Sequence, residues 1–186
     1  MVTTTDTTEI VTTPKTEEIV QPSFKRWLKH ACFMPATKRY FNKQDQMAIA
    51  AAVAQAEHGH VGEIQVVIEG HIPANQAYNQ NTLGRARQLF AELGVWDTEY
   101  NSGVLLYLNL CEQQVEIVID RGIKKAIPQQ VWQEICQKMI DELKQQKHRH
   151  AVLGAVLQIG QVLDQFYDRK INDEKNELVN HPIILD

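Results

Sequence analysis

Residues 103–120, GVLLYLNLCEQQVEIVID, decide the fold of this chain. The run VLLYLNL (104–110) is almost continuously apolar, the pattern of a central strand covered on both faces. VEIVID (115–120) is rich in β-branched residues and follows after only CEQQ, so the two runs form an antiparallel hairpin. Upstream, GEIQVVIEG (62–70) is a third β-rich run, bounded by glycines. TLGRARQLFAEL (82–93) lies between that run and the hairpin, with Leu83, Ala86, Leu89, Phe90 and Leu93 at helical spacing. Arg85, Arg87, Gln88 and Glu92 fall largely off that face, and Gly94 supplies a stop. Strand, helix, strand in this order predicts a parallel crossover unit.

Further out, NKQDQMAIAAAVAQAEHGH predicts a helix over 43–57, capped by Asn42, with Ile49, Ala50 and Val53 in its buried stripe. SFKRWLKHACFM (23–34) is a short basic amphipathic helix that packs on its own domain or lies on a membrane surface. HIPANQAYNQN (71–81) reads as a loop. Residues 128–143 and the segment from Lys147 form two closing helices, the first opening on Pro128, which a first turn tolerates. The order α-α-β-α-β-β-α-α predicts a three-layer α/β/α sandwich around a small mixed sheet. Its parts are an unordered tail over 1–22, a helical lead-in over 23–39, the domain over 40–167 and a C-terminal tail over 168–186. The final PIILD of that tail is apolar enough to dock back.

The bulk numbers narrow the function. The chain has 186 residues, 44% of them hydrophobic, enough for one globular domain. A net charge of −4 argues against a broad basic nucleic-acid face. Cys32, Cys111 and Cys136 match no zinc module and read as free thiols. The Thr- and Glu-rich start is neither a secretory signal nor an anchor, and no window approaches the ~18 apolar residues of a span. A cytoplasmic location is the resulting expectation. No GxSxG, HExxH, Walker loop or GxGxxG is present in the sequence.

The loop GVWDTEYNS before the hairpin carries the candidate chemistry. Asp97, Glu99 and Asn101 offer alternating oxygen ligands of the kind a calcium ion takes, and Asp120 ends the third strand. Asp120 lies either at the end of the sheet that this loop covers or across it; the sequence leaves both open. The plainer reading is that Asp97 and Asn101 shape turns. Arg121, in DRGI (120–123), presents a planar donor fork for a phosphate or carboxylate, or else a salt bridge to Asp97, Glu99 or Asp120. Trp96 and Tyr100 are candidates for partner contact. The pairs HGH (58–60) and HRH (148–150) lack further metal ligands and read as exposed polar residues.

Residues 94–123, with N-x-G-V-L-L, a short hairpin and V-E-I-x-x-D-R-G-I, resemble the core of TPM-domain proteins. The resemblance extends over about 40–167 and is most specific from Asn101 to Gly122. It implies an α/β/α sandwich. In some members it implies calcium held in an acidic site at the end of the sheet, and in some plant members an acid phosphatase activity. This chain looks like the short, soluble bacterial branch of that family, where WDTExNxG replaces a more glycine-rich approach. Asn101 and Gly103 carry over by motif, and Asp120 and Arg121 by the D-R-G match. Two functional expectations follow. One is a non-catalytic interaction or accessory domain with an unidentified protein partner, in which a membrane protein is included, and no nucleic acid. The other is a metal-dependent phosphatase-like hydrolase. A third, lesser reading is calcium bound as a structural clamp.

Overall fold

The computed structural model describes residues 20–34, 37–124, 127–167 and 176–186. The tail expected over 1–22 lies outside these residues up to position 19, as does 168–175 of the C-terminal tail. Helices α1 (Phe24–Ala31), α2 (Thr37–Tyr40) and α3 (Lys43–Ala56) precede strand β1 (Glu63–Glu69). Then come α4 (Ala74–Ala77), α5 (Thr82–Glu92), β2 (Gly103–Asn109), β3 (Gln114–Ile119) and α6 (Arg121–Lys124). Helices α7 (Gln129–Lys144) and α8 (His148–Phe166) and strand β4 (Ile183–Leu185) complete the chain. Asn42 caps α3 as expected, and Asp45 returns the bond to its backbone N–H, a capping box.

The sheet has the order β3-β2-β1-β4. β1 and β2 pair in parallel from Glu63↔Gly103 to Glu69↔Asn109, while β2 and β3 pair antiparallel, Val104 facing Ile119. The predicted crossover and hairpin are both present. Every residue of β1 and β2 is buried, because each strand presents alternate residues to two apolar layers. Ile64, Val66, Ile68, Val104, Leu106 and Leu108 face the core built with α3, α7 and α8. Val67, Leu105 and Tyr107 face Ala86 and Leu89 of α5. This is the three-layer sandwich.

Three local features depart from the sequence reading, and a fourth, the docking of the C-terminal PIILD that the sequence anticipated, takes the form of a strand. The segment 71–81 is not wholly loop, since Ala74–Ala77 makes a helical turn on which α1 packs. A helical turn, α6, begins within the DRG tripeptide, at Arg121. Arg85 is buried, its guanidinium 2.7 Å from Glu69, so α5 carries a charge on its inner face. The C-terminal residues Ile183–Leu185 extend the sheet in parallel along β1, Val67 facing Ile183. Apolar periodicity reports none of these, because each depends on a partner distant in the chain.

Candidate functional site

The loop between α5 and β2 is held from inside. Gly94 ends α5 at φ 68, and the Asp97 N–H donates to its carbonyl at 2.9 Å. The Ser102 N–H donates to Thr98 Oγ1 at 2.8 Å, and the Ser102 hydroxyl to the Val61 carbonyl at 2.6 Å. A Cβ at Gly103 would sit 1.9 Å from the Val95 carbonyl oxygen, so only glycine lets the loop fold back across the start of β2. Asn101 adopts φ 52, a left-handed conformation that asparagine tolerates better than most residues. Fixed in this way, the loop turns Trp96 outward, 54% exposed, with Asp97, Glu99, Tyr100 and Asn101 also on the surface.

The DRG junction meets this loop. The Asp120 N–H donates to the Gly103 carbonyl at 3.0 Å. A Cβ at Gly122 would lie 2.7 Å from the Asn101 carbonyl oxygen, so the turn of α6 rests directly on the Tyr100–Asn101 backbone. Asp120 is therefore at the same end of the sheet as the loop. The residue is only 7% exposed. One carboxylate oxygen accepts the Arg121 N–H; the other, Oδ2, is buried without a hydrogen-bond partner among the described residues. Arg121 is exposed and makes no ion pair among the described residues.

Residues that the sequence reading did not select complete this end. His60 is buried, not exposed as the HGH pair suggested. Its Nδ1 accepts the Gly62 N–H at 2.9 Å, which leaves the ring proton on a buried Nε2; burial lowers its pKa. Its ring lies 6.3 Å from that of Tyr167, whose hydroxyl is pushed up to about 12 by burial and by the charge of Asp120. Burial, aided by the charge of Glu63, raises the Glu57 carboxyl to about 8, although the Ile64 N–H donates to it at 2.8 Å. The C-terminal segment closes over Glu63, whose carboxylate accepts the N–H groups of Glu177 and Leu178. Glu177 in turn accepts the Glu99 N–H at 3.2 Å. No sequence motif marks these residues; burial converts ordinary polar positions into perturbed ones.

The fit to a divalent cation is partial. Asp120 offers one unpartnered oxygen, and Asp97, Glu99 and Asn101 sit on the adjoining loop. The oxygens of Asp97, Glu99 and Asp120 do not, however, gather within 4.8 Å of one another. Calcium takes six to eight oxygens, so the side chains as placed are one wall of such a site rather than a cage.

Among the described residues one group does bring three ligand-type atoms within 4.8 Å, at the opposite end of the sheet: His30, Cys111 and Glu112. Its protons oppose a metal. His30 Nδ1 accepts the Ile72 N–H at 3.1 Å, so the neutral ring carries its proton on Nε2, 3.0 Å from Glu112. A metal-bound histidine needs that nitrogen bare and its other nitrogen donating. The Cys111 thiol, pushed up to about 11 by burial, faces the Lys29 carbonyl. The group ties α1 to the sheet.

Comparison with known proteins agrees with the architecture. A search of curated proteins returns no match. The solved structure of the BA42 protein from the psychrophilic bacterium Bizionia argentinensis is similar at TM-score 0.68 and 23% identity, covering 77% of this chain and 94% of that one. The N-terminal domain of a P. gingivalis protein is similar at TM-score 0.57 and 20% identity, covering 69% and 79%. At these identities the likeness is one of fold. The TPM domain profile matches residues 36–162, most of the chain and all of β1 to β3, and on that match the chain belongs to the TPM domain family.

Proposed function

We propose that this TPM domain is a non-catalytic accessory module that docks a protein partner through the loop 95–103. The observation that carries this reading is Trp96, a large aromatic side chain more than half exposed on a loop whose backbone is pinned by glycine packing and hydrogen bonds. Exposed aromatics on rigid loops cost little entropy to immobilise and dominate interface energies. Tyr100, on the same loop, widens the aromatic surface. The partner class includes membrane proteins. The test is quantitative capture of partners from the source cells with wild type and Trp96→Ala. Selective loss of one or a few proteins supports the reading; unchanged recovery removes this loop as the contact.

Asp120 supports a second reading, a metal-dependent phosphatase-like hydrolase. Its unpartnered buried oxygen beside the exposed Arg121 is a starting point for a calcium or other divalent cation and an anion. Asp97, Glu99 and Asn101, exposed on the adjoining loop, would supply further oxygens. Phosphatase assays with calcium, magnesium and manganese test it. Activity that survives Asp97→Asn combined with Asp120→Asn ends that assignment.

A further inference from the structure

Residues 23–43 contain six Lys or Arg and no Asp or Glu, in a chain whose net charge is −4. The structure decides which way this basic block faces. α1 is oriented by its polar side. His30 is buried against the Ile72 N–H and Glu112, while the Arg26 guanidinium donates to the Ala77 and Tyr78 carbonyls. The stripe at i, i+4, i+7 is consequently turned to solvent: Phe24 is 65% exposed, Leu28 46%, and Ala31 is also exposed. Lys25 flanks this stripe, as does Lys29, whose ammonium also pairs with Glu112 at 2.9 Å, and the chain beyond it exposes Met34 to 80%. α2 brings exposed Lys38 and Arg39 to the same end of the sheet, where Thr37 packs at Gly70 and His30 at Ile72.

We infer that α1 is a docking element for the surface of an anionic lipid bilayer, independent of the loop 95–103. An amphipathic helix in a globular protein ordinarily hides its apolar stripe. Here ion pairs and backbone bonds hold that stripe outward and surround it with cations. Charge complementarity selects the occupant. Lysine is depleted in the core of protein interfaces, whereas lysines beside buried apolar groups suit a headgroup layer, where their stems snorkel. A nucleic acid would use the cations but leave Phe24, Leu28 and Met34 without a role. No helix among the described residues is long and apolar enough to cross a membrane, so the attachment is peripheral.

Flotation of the full chain with vesicles tests this. Phosphatidylcholine alone is compared with phosphatidylcholine carrying about 30 mol% phosphatidylglycerol, at about 0.1 M and about 0.5 M salt. The wild type should float with the anionic vesicles and lose binding at the higher salt. Phe24→Ser with Leu28→Ser should weaken flotation about tenfold. Lys25→Glu with Lys38→Glu should weaken it by about fivefold or more per charge. All four side chains are exposed, so circular dichroism and Tm should stay at the wild-type values, separating lost binding from lost folding. The proposal is overturned if the wild type fails to float. It is also overturned if the serine variant floats as the wild type does, or if heparin binding matches vesicle binding and ignores the serine substitutions.

Discussion

The two ends of the central sheet handle buried polar groups in opposite ways. Where β1 and β2 terminate, the buried carboxylate, hydroxyl and amide groups of the strands and α5 have found partners, and His71 Nδ1 is the exception. Arg85 reaches both oxygens of Glu69, Tyr107 donates to Glu69, Asn109 donates to Tyr107, and Thr82 donates to Glu116. Where the strands begin, Asp120 keeps a buried bare oxygen, His60 a buried ring N–H, and Glu57 a carboxyl raised to about 8. A satisfied network rigidifies a fold, whereas unsatisfied groups lower its stability and are characteristic of sites that await a ligand. The candidate chemistry belongs at the second end for this reason.

The sharpest way to break the comparison is Arg85→Met. It strands Glu69 as an uncompensated buried charge and should cost about 3–5 kcal/mol in urea unfolding. Pairing it with Glu69→Leu should recover most of the loss; a double variant as unstable as the single would mean that packing, not charge, holds α5. Gly103→Ala should cost about 3 kcal/mol, because its Cβ meets backbone rather than a movable side chain. A crystal structure of that variant should show the loop displaced at Val95.

Glu57 predicts a pH dependence localised to the less satisfied end. Its carboxyl ordinarily titrates near 4.5, and in the fold near 8. The native state therefore holds a proton that the unfolded chain has released. That contribution to stability is full below about 4.5 and is lost as pH rises through about 8. Tm should fall from about pH 6 to about pH 8 and level off above it, and Glu57→Gln should flatten the fall. The histidines act in the other direction. His30 and His60 are held neutral by burial, so stability should decline as pH drops below their ordinary value of 6.5. Equal slopes in wild type and Glu57→Gln would remove Glu57 from this account.

Asp120→Asn keeps the acceptor for the Arg121 N–H and removes an uncompensated charge. It should leave stability unchanged or raise it by about 0.5–2 kcal/mol, the opposite sign to Arg85→Met. A large loss in thermal unfolding would show Asp120 to be structural. Trp96→Ala should be the mildest, within about 0.5 kcal/mol of wild type, since its side chain is mostly in solvent. A larger loss would mean that Trp96 supports the loop rather than presenting itself to a partner.

The three long strands, the crossover and the four long helices were legible because each announces itself through local period: VLLYLNL by continuous burial, TLGRARQLFAEL by its 3.6-residue stripe. The loop 95–103 was legible as unusual, and the D-R-G match led to its neighbour. The sequence by itself thus determined the layers and the βαβ-hairpin order, since these follow from propensity and periodicity within short windows. Only the tertiary structure decided that Asp120 meets the loop through Gly122, that Arg85 turns inward to Glu69, and that His30 points α1's apolar stripe outward. It alone placed Ile183–Leu185 beside β1. Each of those outcomes pairs groups at least sixteen residues apart, and the energy of a buried polar contact depends on a partner that no local window contains.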